Sequence, residues 1–236
     1  MLFFYVRHGD PIYKPDSLTP LGERQAEALS KRLCLYGLDR IFASTSNRAI
    51  LTATPTAEIL KKEIIKLDFA NEGHAWRDLT VKSDVGMKWL FQDKKTRALF
   101  HTDEITSLGF RWYEHPELAS YNYKKGIDRI GGESDAFFES LGYRREGLGK
   151  YKVVNESDER VALFAHQGFG LAFLSHVLGI PYPTFSTKFD FGHSGLTVIE
   201  FKNEDGYAYP RVLTLANDSH VYREGLPTKY QNAIYF

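Results

Sequence analysis

The chain opens on an uninterrupted apolar run, Leu2-Phe3-Phe4-Tyr5-Val6, that stops at Arg7. An apolar stretch without polar alternation predicts a strand buried on both faces, the signature of a parallel sheet. Thr19-Pro20 then reads as a helix N-cap followed by proline at the first helical position. Ala26, Leu29 and Leu33 form the apolar stripe of that helix, and Gly37 is its C-terminal stop. Residues 40–43 (Arg-Ile-Phe-Ala) predict a second strand. Ser44 or Ser46 caps a second helix that runs through Arg48 toward Lys62, with a kink or break expected at Pro55. Residues 64–67 predict a third strand and residues 161–165 a fourth, followed by a helix over 168–178 closed by Gly179 and Pro181. Residues 196–201 and 211–215 predict two late strands. Strands alternating with helices predict an α/β fold: a central, mostly parallel sheet flanked by helices.

Residues from about 72 to 150 break this rhythm. They are rich in aromatics (Trp76, Trp89, Phe91, Trp112, Tyr113, Tyr121, Tyr123) and helix formers. This predicts a mostly helical cap inserted between strands three and four of a single α/β domain spanning residues 1–236. The aromatics suit either an apolar part of a substrate or the interface of a homodimer.

Composition narrows the function classes. The chain has 236 residues, and its 30 basic and 30 acidic side chains give a formal net charge of +0. With no concentrated basic face, nucleic acid is not an expected partner. A pocket holding a few arginines remains compatible with a small anion. The single cysteine, Cys34, excludes an intrachain disulfide and suits a reducing, cytoplasmic location. The apolar N-terminal run is too short for a signal peptide or a membrane span, so no membrane partner is expected.

Candidate chemistry lies at the predicted strand ends. Arg7-His8-Gly9 follows the first strand, and His166-Gln167-Gly168 follows the fourth. In an open α/β sheet, ligands bind at the carboxyl ends of strands, and a glycine beside each histidine lets a ligand approach the backbone. Arg48 falls in the first turn of the helix after the second strand, at the same edge. Two arginines, two histidines and a helix N-terminus would converge there on an anion with several oxygens, since the guanidinium fork matches phosphate. His193, just before a late strand, reads as a structural histidine near the pocket rim, and His74, His101, His115, His176 and His220 show no H-x-H or H-E-x-x-H spacing, so no metal site is expected.

The ordered set Val6-Arg7-His8-Gly9, Leu18-Thr19-Pro20-Leu21-Gly22, Ser44-Thr45-Ser46-Asn47-Arg48-Ala49, Gly131-Gly132-Glu133-Ser134, Phe164-Ala165-His166-Gln167-Gly168 and Asn217-Asp218 with His220 resembles the histidine phosphatase (phosphoglycerate-mutase-like) superfamily across nearly the whole chain. The resemblance implies a phosphohistidine intermediate, with His8 as nucleophile and Arg7, Arg48 and His166 holding the phosphoryl oxygens. Gly9, Thr19 and Gln167 complete the candidate phosphate- and substrate-binding set, Thr19 doubling as a helix cap and Gln167 acting through its backbone N–H. The family's proton donor usually follows the third strand, where Glu72 fits best, with Asp10 and Glu114 as alternatives. No metal or cofactor is implied.

The expected activity is hydrolysis of a small phosphorylated metabolite, a phosphomonoester. The alternatives are mutase-type phosphoryl transfer and a catalytically silent protein that binds a phospho-ligand. Against the mutase, the family's W-N pair after R-H-G is replaced by Asp10-Pro11-Ile12-Tyr13, and its E-R-x-Y-G stretch by Glu72-Gly73-His74.

Overall fold

The computed structural model describes residues 1–228. In chain order its strands are β1 (Leu2–Arg7), β2 (Pro11–Tyr13), β3 (Asp16–Leu18), β4 (Arg40–Ser44), β5 (Ile64–Leu67), β6 (Thr80–Ser83), β7 (Gly86–Trp89), β8 (Tyr143–Gly147), β9 (Lys150–Val153), β10 (Arg160–Ala165), β11 (Leu196–Glu200), β12 (Tyr207–Ala208) and β13 (Arg211–Asn217). Its α-helices are α1 (Pro20–Tyr36), α2 (Asn47–Leu60), α3 (Glu72–Asp78), α4 (Lys94–Phe100), α5 (Asp103–Leu108), α6 (Tyr123–Ser140), α7 (Gln167–Leu178), α8 (Tyr182–Lys188) and α9 (Ser219–Arg223).

The central sheet runs β13-β11-β1-β10-β4-β5. The β1/β10, β10/β4 and β4/β5 pairs are parallel, and β11 joins β1 and β13 antiparallel. The fold class is thus α/β with a mostly parallel sheet, as the strand–helix alternation predicts. Strand residues alternate between two cores. Phe3, Tyr5, Phe42, Val161, Leu163 and Ala165 enter one, with Phe169 and Phe173 of α7 and Phe137 and Phe138 of α6. Phe4, Val6, Ile41, Ala43, Ala162 and Phe164 enter the other, against Leu29 and Leu33 of α1 and Ala53 and Ala57 of α2. Both faces of β1 are therefore covered, which is why its sequence shows no polar alternation.

Thr19 caps α1, its hydroxyl accepting from the Gly22 N–H, and Gly37 closes the helix at φ 71°. Contrary to the expected kink or break, α2 continues through Pro55. The missing N–H costs one hydrogen bond, but Ala53, Thr56 and Ala57 on either side are buried. Tertiary packing therefore holds the helix together. The hairpin of β2 and β3 was not visible as a sequence pattern, because three-residue strands are too short to show a period.

Between β5 and β10 the chain is mostly helical, with α3 to α6 and the β6–β7 hairpin preceding β8 and β9. Its aromatics largely pack on one another: Trp112 stacks on Tyr123 at 5.7 Å and meets Phe100 edge-on, and Trp76 meets Trp89 edge-on at 5.0 Å. The insertion is also rooted on the sheet, since Phe137 and Phe138 contact Phe3 at 6.1 and 5.1 Å. Among the described residues, no helix is long and apolar enough to cross a membrane.

The loop after β1 packs backbone to backbone on α1. A Cβ on Gly9 would lie 2.7 Å from the Gly22 carbonyl oxygen, and one on Gly22 would lie 2.2 Å from the Asp10 carbonyl oxygen. Gly9 thus serves this crossing of main chains. Neither partner can yield, because both are main chain. Gly22→Ala should destabilise the fold by about 1–3 kcal/mol, the usual cost of overpacking, read as a lower urea midpoint at unchanged slope.

Candidate active site

Three parallel strands end at one edge and deliver the site. His8 follows β1; its N–H donates to the Ala165 carbonyl at the end of β10, and its carbonyl accepts from the Ser194 N–H. The main chain of His8 is thus held from both sides. Its ring is 1% exposed. Nδ1 lies 2.7 Å from the Gly9 carbonyl oxygen. A carbonyl only accepts, so Nδ1 carries the proton and the neutral ring keeps its lone pair on Nε2.

His166 follows β10 and is fully buried. Nε2 is hydrogen-bonded to Ser44 Oγ at 2.8 Å, at the end of β4. Nδ1 makes no well-directed hydrogen bond but lies 3.3 Å from Glu72 Oε2. The ring centroids of His8 and His166 are 5.2 Å apart. Tyr5 stiffens this junction, its hydroxyl donating to the His166 carbonyl at 2.6 Å.

Arg48 lies in the first turn of α2, where Ser46 is the N-cap. One terminal nitrogen pairs with Asp16 Oδ1 at 2.7 Å, the other lies 3.8 Å from Glu72 Oε2, and the buried Nε has no partner among the described residues. Asp16 also accepts from the Asn47 N–H at 2.7 Å, which pins the β2–β3 hairpin over the start of α2. Arg7 donates to the Phe191 carbonyl and likewise has a buried Nε without a partner among the described residues.

Glu72 opens α3, with Asn71 as N-cap. Its Oε1 accepts from the Gly168 and Phe169 N–H groups at 2.8 and 3.3 Å, the free donors at the start of α7. The α7 N-terminus, expected to meet the anion directly, is therefore bound to a side chain of the protein. Oε2 is left facing His166 and Arg48.

Burial dominates the proton affinities. It pulls His8 and His166 well below the ordinary histidine range, with the Arg7 and Arg48 charges adding to the effect. It pushes Glu72 up, against the opposing pull of Arg7, Arg48 and the two backbone bonds. Nitrogen and oxygen atoms of His8, Glu72 and His166 lie within 4.8 Å of one another, a grouping that could bind a metal by count. The two guanidinium groups that depress both histidines make the same space unfavourable for a cation and favourable for an anion.

The other candidates are placed differently. Thr19 Oγ1 is occupied by the α1 cap and by a 2.8 Å bond to Asp10 Oδ2. Gln167 extends its side chain to Asp190. Asp10 pairs with His193 Nδ1 at 3.2 Å. Glu114 is exposed in the insertion and pairs with Arg111, so it does not join the cluster. Residues that the sequence reading did not single out as partners are Tyr5, Ser44, Asp16 and His193, whose ring stacks 5.8 Å from that of His8. Ser44 belongs to one of the sequence motifs and the other three bear none; all four roles arise from contacts distant in sequence.

His220 on α9 supports the same loop, its Nε2 lying 2.9 Å from Ser194 Oγ. Burial lowers its pKa from 6.5 to about 4. His8 and His166 shift in the same direction. Below pH 6.5 the unfolded chain takes up protons that the folded state refuses, so stability is full above that pH and falls as acid is added. His220 alone should cost about 2 kcal/mol by pH 5; raised Glu72 opposes this only in part. Urea midpoints at pH 7 and pH 5 check the expectation, and equal midpoints would overturn it.

The family model described as histidine phosphatase superfamily (branch 1) matches residues 3–99. No curated protein sequence matches the chain at a significant level. Among solved structures, the chain is similar to phosphoserine phosphatase from Entamoeba histolytica in complex with 3-phosphoglyceric acid, with a TM-score of 0.60, 17% identity, and 93% of this chain and 98% of that chain covered. It is also similar to a mycobacterial glucosyl-3-phosphoglycerate phosphatase in complex with inorganic phosphate, with a TM-score of 0.53, 16% identity, and coverage of 93% and 99%. At these identities the structures show the shared fold. The histidine phosphatase sequence pattern thus covers residues 3–99, and the solved structures share the chain's fold over most of its length.

Proposed function

We propose that the protein is a phosphatase that hydrolyses a small phosphomonoester through a phosphohistidine on His8. The observation that carries this reading is the hydrogen bond from His8 Nδ1 to the Gly9 carbonyl. It fixes the ring and leaves Nε2 as a neutral, unprotonated nucleophile within a cluster of cations. In the first step Nε2 forms a bond to phosphorus as the ester P–O bond breaks. Arg7, Arg48 and the Nδ1 side of His166 hold the remaining phosphoryl oxygens, whose charge they stabilise.

Glu72 supplies the proton to the departing alkoxide. Burial already favours its protonated form, and a phosphate dianion entering beside it would raise its proton affinity further. Once ionised, the same carboxylate takes a proton from water as that water breaks the P–N bond and releases inorganic phosphate. The oxygen bonded to α7 keeps the group in place through both steps.

His8→Ala should abolish turnover of p-nitrophenyl phosphate while the folded circular dichroism spectrum is kept; substantial residual activity would remove His8 as nucleophile. Glu72→Gln separates the proton donor from the phosphate cradle. Turnover of alkyl phosphates, which need a proton on the leaving oxygen, should fall by about 10²–10³-fold. p-Nitrophenyl phosphate, with its good leaving group, should suffer far less. Equal losses on both substrates would assign the proton to another residue.

A further inference from the structure

An open cavity of about 940 Å³ adjoins the candidate site where Arg7, Gln167 and His193 form part of its wall. That volume lies near the upper end for small-molecule sites and exceeds what a phosphoryl group occupies. Its charge is uneven. The lining holds four cationic side chains, Arg7, Lys88, Arg97 and Lys188, and one carboxylate, Asp190. The chain as a whole is neutral, so this excess is local. Asp190 is engaged by the Gln167 side chain and the Phe191 N–H. Lys88, Arg97 and Lys188 make no ion pair or side-chain hydrogen bond among the described residues. They come from β7, α4 and the end of α8, three elements that meet only in the fold. Cation-bearing walls around a concave space concentrate field lines and select anions.

The insertion's aromatics do not compete for the role of recognition. Of the seven, only Phe91 lines this cavity.

We infer that the substrate carries a second anionic group, a carboxylate or a second phosphate, which Lys88, Arg97 and Lys188 receive while its phosphomonoester lies in the cradle of Arg7 and Arg48. This rests on the phosphatase reading above and adds a substrate class to it.

Two compound pairs isolate the second anion. 3-Phosphoglycerate and glycerol 3-phosphate share their monoester and differ in a carboxylate; fructose 1,6-bisphosphate and fructose 6-phosphate differ in a phosphate. Each is titrated calorimetrically into the full-length protein at low and physiological salt, and hydrolysis is followed in parallel. In at least one pair the doubly anionic member should bind about tenfold or more tightly, with the advantage shrinking as salt rises. The pair that responds identifies the anion. In the Lys88→Gln/Arg97→Gln/Lys188→Gln variant, checked for an unchanged thermal midpoint, that ratio should fall to within about twofold of unity. Ratios near unity in both pairs for the native protein, or a ratio that survives the triple substitution, would overturn the inference. Selective binding without hydrolysis of any phosphomonoester would instead leave it standing and remove the phosphatase reading.

Discussion

The site depends on one carboxylate serving two partners. Glu72 gives one oxygen to the free N–H groups of α7 and presents the other to His166 and Arg48. The helix end offsets part of the desolvation cost of a buried acid and fixes its orientation. The same bonds tie the start of the insertion to the end of β10, so Glu72 and the cluster of Arg48 and His166 cannot drift apart. Much of what surrounds them follows: Trp89 lies where a Cβ on Gly168 would be 2.5 Å from its ring, and only glycine lets that close approach exist.

Around this contact, polar groups hold each clustered side chain from behind. Tyr5 and Ser44 steady His166, Ser194 and Gly9 steady His8, and Asp16 steadies Arg48. Preorganisation of this kind lowers the cost of assembling charge in the transition state. It also concentrates buried polar atoms in one place, including Nε of both arginines, which lack partners among the described residues. Such groups are costly unless something with oxygen acceptors meets them.

How much of this was legible in the sequence follows from the range of each interaction. The sheet strands and α1, α2 and α7 were legible because burial on both faces of a parallel sheet and helical stripes leave local patterns. The cluster of Arg7, His8, Arg48 and His166 was legible because each residue sits just past a strand, and parallel strands bring their ends to one edge. Glu72 had only weak local context, since it meets the site through a turn and a helix of seven residues. The β2–β3 hairpin and its Asp16, and the pairing of Asp10 with His193, were hidden because no period or spacing marks a contact made once. The two glycines near the histidines were visible, but their packing role was not: each one accommodates a part of the protein itself.

Strand β7 divides its labour between its two sides. Trp89 packs inward on α7 while its neighbour Lys88 lines the cavity, because successive residues of a strand point to opposite faces. The contact that secures the insertion and the wall that meets incoming molecules are therefore adjacent in sequence yet mechanically independent. Such a strand can drift at its outward position over evolutionary time, trading one charge for another, while its anchor stays put. Selectivity among relatives sharing this scaffold can diverge without the fold having to be relearned.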